Sequence, residues 1–191
     1  VGMNRNKRSI ALDLANDEGK SVARRLVAWC DVLVENFRPG VMERMGLGYD
    51  ALRESHPRLI YCAISAYGED GPYVNKPGMD GVLQAMGGIM GHTGEPEAHP
   101  SRIGVPIADF TAAFLSLSAI SLALFDRERT GKGQKVGVSL LDGQLAFFAN
   151  HMPGFALTGK PDKPAGTAHP QIEPSRVYRT QDGHMVVTCL T

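Results

Sequence analysis

The sequence lacks most of the features that classify a chain at a glance. Cysteine is scarce: Cys30, Cys62 and Cys189 stand far apart, without a CxxC pair. That spacing excludes a disulfide scaffold and a cysteine-based zinc site, and it suits a reducing compartment, so a cytoplasmic protein is expected. Neither charge is in excess, because 20 Lys and Arg balance 20 Asp and Glu. A chain drawn by its global field to nucleic acid or to an anionic membrane is thereby excluded, and neither partner is expected. Long uncharged apolar runs are missing as well. The longest, residues 110–125, falls short of the roughly 20 residues a bilayer needs and carries Thr111, Ser116, Ser118 and Ser121. The opening residues do not read as a secretory or transit signal.

What is present is enough apolar sequence for a core, 43% of residues, with too many glycines (22) and prolines (12) for a helical bundle. A mixed α/β domain is expected. Residues 9–14 alternate apolar and polar, as a half-buried strand does. Asn16 then offers a cap, and Asp17 and Glu18 an acidic first turn, to a helix over about 19–30 with Val22, Leu26, Val27 and Cys30 on one face. Strands are expected at 31–34 and 58–65, with short helices near 41–45 and 49–55 between them. Strand, helix, strand, helix, strand is the order of a parallel α/β layer. Further on, loops over 67–78 and 91–106 flank a helix over 80–90 that Gly87 and Gly88 loosen. The strongest helix pattern runs over 110–129, with Asp109 just before it. A strand at 134–139, a helix at 140–151, a Pro- and Gly-rich linker over 153–174 and a hairpin at 176–180 and 184–189 complete the reading. Both ends read as internal to a longer chain.

Several chemical signals fail on inspection. Gly154 to Lys160 has the GxxxxGK spacing of a phosphate loop, but Pro161 stands where Ser or Thr would hold magnesium. No GxGxxG follows a strand, and no GxSxG elbow occurs. The histidines, at 56, 92, 99, 151, 169 and 184, show no metal-ligand spacing and read as surface residues, so no metal site is expected.

The informative stretch is Val34-Glu-Asn-Phe-Arg-Pro-Gly40, continuing Val41-Met-Glu-Arg-Met-Gly-Leu-Gly48. It is followed in order by Ser65-Ala-Tyr-Gly68, Gly71-Pro-Tyr73, Pro77-Gly-Met-Asp80, Gln84-Ala-Met-Gly-Gly88, Ile107-Ala-Asp109 and Arg129-Thr-Gly-Lys-Gly-Gln134. This series closely resembles the family III CoA-transferases (CaiB/BaiF), and the likeness extends over nearly the whole chain. Members of that family run to about twice this length, so the resemblance implies a part of the fold, incomplete at both ends. Residues 1–152 would belong to its Rossmann-like, CoA-binding large domain, an α/β fold built on a parallel sheet. Residues 153–191 would be the linker and the start of the small domain. The family also implies an interlaced homodimer, with acyl-CoA and a carboxylic acid as substrates and no tightly bound cofactor.

The resemblance assigns the nucleophile to Asp109, which would attack an acyl-CoA thioester and pass through an aspartyl-CoA thioester. A carboxylate is a weak nucleophile and must be ionised, positioned and desolvated to do this. By its spacing alone, Asp109 reads first as a plain helix cap, and it is the motif around it that turns the reading to a nucleophile. By the same resemblance Leu12, Asn36, Phe37, Arg44 and Met45 match positions that contact CoA. Arg suits forked bonds to phosphate, while Phe and Met suit the adenine and the pantetheine arm. Lys7 and Arg8 read either as phosphate-steering residues or as a solvated basic patch, and Ala15 stands where relatives often carry Lys. Met79 departs from the racemases of the same superfamily, where the residue before the matching Asp80 is a His acting as acid/base. Met has no proton to exchange, so racemisation by that pair is disfavoured. Asp80 reads as orienting the site or as capping the helix after it. Tyr67-Gly68 and Gly87-Gly88 read as backbone donors toward a thioester oxygen or as ordinary turns. A racemase using another base, and a non-catalytic CoA-binding fragment, are the competing readings.

Overall fold

The computed structural model describes residues 2–189. Its elements run α1 (Asp17–Val27), β1 (Val32–Glu35), α2 (Val41–Arg44), α3 (Tyr49–Arg53), β2 (Ile60–Ser65), α4 (Asp80–Met86), α5 (Ile89–His92), α6 (Ile107–Thr130), β3 (Lys135–Ser139), α7 (Leu140–Ala146), α8 (Met152–Thr158), β4 (Ser175–Arg179) and β5 (His184–Thr188). The chain divides into two compact units, residues 1–65 with 115–138, and residues 66–114 with 139–191. It is an α/β fold with a parallel strand pair, as expected.

In the first unit β1 and β2 pair in parallel from Val32 against Ile60 to Glu35 against Ala63. The sheet order is β1-β2-β3. As the central strand, β2 is buried along nearly its whole length, which explains why it reads as a continuous apolar run. The core gathers Val27, Met42, Leu47, Leu52, Leu59, Tyr61 and Ala63. Asn16 caps α1, its side-chain oxygen accepting the Gly19 N–H at 2.7 Å. Gly133 lies so close to the Leu59 carbonyl that no larger residue fits there. The C-terminal end of α6 is anchored by buried Arg127, which reaches Asp31 Oδ1 at 3.0 Å and donates to the Arg58 carbonyl at 3.1 Å.

In the second unit α4 lies against α7, and a Cβ on Gly87 would collide with the Gln144 side chain. Gly88, at φ +86°, turns the chain between α4 and α5, so the single helix expected over 80–90 is two. The hairpin β4–β5 is antiparallel, with Ser175 opposite Thr188, and the Thr180 N–H donates to the Gly183 carbonyl at 2.9 Å.

Four further expectations need correction. Residues 9–14 are irregular: their alternation supplies a face, but no strand among the described residues pairs with them, and a strand needs that ladder. α6 begins at Ile107, so Asp109 lies inside its first turn rather than before it. The helix expected over 140–151 ends at Ala146. The stretch read as a linker holds α8, whose Pro153 occupies the first turn, where a missing N–H costs nothing; Gly159 closes it in the left-handed conformation.

α6 buries a stripe of small residues, Ala108, Ala112, Ser116 and Ala123, ending in Arg127. Its other side exposes Phe114, Leu117, Leu122 and Phe125, each by more than 60%. By length and composition alone the helix could cross a membrane, and only 22% of its most apolar window is buried in the structure.

Candidate active site

The start of α6 is held from a distance. The first N–H groups of a helix have no partner in their own helix and must be satisfied from outside. The Ala108 N–H donates to Asp80 Oδ1 at 2.9 Å, and Asp80 is the first residue of α4. The other carboxylate oxygen, Oδ2, accepts from Gln84 Nε2 at 2.8 Å and from Arg102 Nη2 at 3.1 Å. Gln84 is completely buried and also grips the incoming loop, accepting the Ile103 N–H at 2.8 Å and donating to the Val105 carbonyl at 3.3 Å. A negative charge at a helix N-terminus is favourable in itself. Asp80 therefore serves α6 rather than its own helix, whose N-cap, Met79, makes no side-chain cap bond.

Asp109 follows directly on this clamp. Among the described residues its carboxylate has no hydrogen-bond partner, and the residue lies at the surface. The cap function open to it in the sequence is thus taken by Asp80. Its pKa is raised above the ordinary aspartate value, first by partial desolvation against neighbouring groups and second by the Asp80 charge. Both causes destabilise the carboxylate form, and a less stable carboxylate is more basic and a better nucleophile than an ordinary one. A rigid backbone with an unengaged, electronically raised carboxylate is what attack on a carbonyl carbon requires.

The residues expected to contact CoA all belong to the first unit. Asn36 and Phe37 follow the C-terminal end of β1, the end of a parallel strand where open α/β sheets bind ligands. The Asn36 amide donates one N–H to the Ile64 carbonyl at 2.8 Å, which fixes the side chain and leaves its oxygen and second N–H for a ligand. The Phe37 N–H donates to Glu35 Oε2 at 2.7 Å, and its ring is about half exposed, at 48%. Arg44 ends α2, is exposed, and makes no ion pair among the described residues; its guanidinium lies against Gly40. Met45 and Leu12 are partly buried, and Met45 rests on the core cluster. Lys7, Arg8 and Ala15 are exposed. Met79 is 74% exposed and places no titratable group beside Asp80.

Gly87 is required by its close approach to α7 and Gly88 by its left-handed turn, both structural roles. Three residues without any ligand spacing in the sequence do come together: His92, His151 and Asp162 offer donor atoms within 4.8 Å of one another. They line a cleft of about 490 Å³ in the second unit with Met86, Phe148 and Phe155. The turn at Gly88 and the start of α8 bring them into register, and no local pattern announces either.

Comparison with known proteins sets these sites in context. The model of CoA-transferase family III matches residues 1–191. The succinate–glutarate CoA-transferase of Agrobacterium fabrum is 42% identical over 184 residues, which cover 96% of this chain and 46% of that protein. The acetyl-CoA:oxalate CoA-transferase of Acetobacter aceti is 40% identical over 188 residues, 98% of this chain and 48% of its own. A crystal structure of a CAIB/BAIF family protein from Brucella suis superposes with a TM-score of 0.89 at 43% identity, covering 96% of this chain and 48% of that one. The chain spans about half the length of the curated relatives it matches.

Proposed function

The chain belongs to CoA-transferase family III, and on that premise we propose that the whole protein moves CoA from an acyl-CoA to a carboxylic acid, with Asp109 as the nucleophile. The observation that carries this reading is the Asp109 carboxylate itself, unpaired among the described residues and raised in pKa on a helix start clamped by Asp80.

The chemistry conserves charge and needs no redox partner. The Asp109 carboxylate attacks the thioester carbon, the C–S bond breaks, and CoA leaves as thiolate from a mixed anhydride. The thiolate then attacks the Asp109 carbonyl carbon and expels the donor acid, leaving an aspartyl-CoA thioester. The acceptor carboxylate attacks that thioester, and the released thiolate takes the acceptor acyl group from the second anhydride, regenerating Asp109. Asp80, Gln84 and Arg102 hold the backbone at the point of attack and do not exchange protons in these steps.

In this reading Arg44 meets a CoA phosphate, while Phe37, Met45 and Leu12 supply apolar surface and Asn36 its free oxygen. The half-exposed Phe37 ring and the unpaired Arg44 guanidinium support it. The relatives named for succinate, glutarate and oxalate point to short dicarboxylic acids as substrates. We assign residues 1–152 to the CoA-binding large domain and 153–191 to the passage toward the small one. An interlaced homodimer is part of the proposal, and the uncovered Phe114, Leu117, Leu122 and Phe125 support it as a surface that protein, rather than lipid, would cover. A cytoplasmic setting accords with the free thiols of Cys30 and Cys189 at the surface.

The test is to incubate the full-length enzyme with acyl-CoA and then with borohydride or hydroxylamine, and to map the modified peptide. The label is expected on Asp109; a label on any other carboxylate removes this mechanism.

A further inference from the structure

We propose that His92, His151 and Asp162 form a binding site for a divalent transition metal of the Zn²⁺ class, separate from the CoA chemistry. Their donor atoms lie within 4.8 Å of one another, although the residues come from α5, the residue before α8 and the segment after α8.

The orientation of each ring supports ligation. His92 Nδ1 lies 3.1 Å from the Gly88 carbonyl. A carbonyl only accepts, so Nδ1 carries the proton and Nε2 keeps its lone pair for a metal. This backbone tether is the usual way in which a metal-bound imidazole is fixed in tautomer and direction. His92 is further held by Phe148, with ring centroids 4.6 Å apart, and meets the His151 ring edge-on at 5.6 Å. His151 Nδ1 and Asp162 Oδ2 are 2.6 Å apart and share a proton, which a cation would replace.

Two imidazoles and one carboxylate form a donor set well matched to Zn²⁺, with bonds of about 2.0–2.1 Å and one coordination position left open. Tetrahedral ligation at those bond lengths puts neighbouring donors about 3.3 Å apart. The present separations, 2.6 Å at the shortest and within 4.8 Å overall, reach that spacing by side-chain rotation. The side chains of His151 and Asp162 are 44% and 57% exposed, which leaves room for that adjustment once the cation takes the place of their hydrogen bond. The three donors line one cleft with Met86, Leu145, Phe148, Met152 and Phe155. Bound metal would pin the segment after α8 to α5.

The experiment is a titration of the full-length, chelator-stripped protein with Zn²⁺ by calorimetry and with Co²⁺ by visible absorption. One equivalent is expected to bind saturably, with the intense d–d bands of a four-coordinate site for Co²⁺. His92→Gln, His151→Gln and Asp162→Asn should each weaken binding by about tenfold or more, with CoA transfer kept. In the unmutated protein, Zn²⁺ should protect His92 and His151 from diethylpyrocarbonate, a readout that does not depend on any variant folding. Absence of saturable binding, or binding with both histidines still open to the reagent, overturns the proposal.

Discussion

The N–H of Ala108 donates to the Asp80 carboxylate at 2.9 Å, so the residue that opens α4 also holds the first turn of α6, one position before Asp109. The same carboxylate binds Arg102 and the buried Gln84, which in turn fastens the loop at Ile103 and Val105. Asp80 thus orients the backbone beside Asp109 and, second to desolvation, adds to the rise in its pKa.

Asp80→Asn separates those two effects. The amide oxygen still accepts the Ala108 N–H, while the negative charge is gone and with it the acceptor for Gln84 and Arg102. Loss of the repulsive charge lowers the pKa of Asp109, so the acidic limb of the kcat/KM profile is expected to move to lower pH. It should stay above that of an ordinary aspartate, because desolvation, the larger cause, remains. Asp80→Ala loses the cap as well and leaves Gln84 short of a partner, for an expected loss of about 1–3 kcal/mol in denaturant unfolding.

Much of the fold was legible because its signals are local. The Asn16 cap, the uniformly apolar β2 and the hairpin around Gly183 each follow from residues within one element. What could not be read depends on partners distant in sequence. Residues 9–14 alternate like a strand yet have no ladder among the described residues, and α6 starts early because Asp80 reaches it from another helix. Composition misled at Pro153, since a proline that breaks a helix interior is well placed in a first turn. The Asp109 motif was recognisable, but its unpaired state was not, because that depends on which group caps α6. His92, His151 and Asp162 left no trace in spacing, as tertiary turns alone unite them.

CoA binding gives a second prediction. Arg44 is exposed and makes no ion pair among the described residues, so its removal strands no internal partner. Arg44→Ala should leave thermal stability within about 0.5 kcal/mol and weaken CoA by about 1.5–3 kcal/mol, the worth of a charge-assisted bond. Calorimetry of the full-length variant measures the second quantity; unchanged affinity would move the phosphate site away from α2.

The outward face of α6 yields a third. Burying Phe114, Leu117, Leu122 and Phe125 at about 1.5–3 kcal/mol per side chain is a strong drive to associate. Residues 1–191 prepared alone should therefore self-associate in size-exclusion chromatography with light scattering and bind an apolar dye. Replacing Phe114 and Leu122 with Ser should reduce both signals, whereas an unaltered monodisperse monomer before and after the change would show that this face needs no cover.

Asp109→Asn tests the nucleophile by two opposite expectations in one variant. A folded-state pKa above the ordinary value means that ionising Asp109 opposes folding. Its stabilising share is complete below the ordinary aspartate pKa of 3.8 and is lost as pH rises through the raised value. The uncharged amide avoids that loss, so the variant should unfold at a higher temperature than the parent at neutral pH, with the difference closing in acid. A residue kept for structure would behave the other way, its removal lowering the melting temperature. Turnover should fall by several orders of magnitude at the same time, because the amide lacks the ionised oxygen that must attack the thioester. CoA affinity, which rests on the first unit in this reading, should persist. A protein that is more stable, still binds CoA and no longer transfers it is the signature of a nucleophile held at a cost to stability. Retained turnover would transfer the chemistry to another carboxylate, even with the melting behaviour as expected.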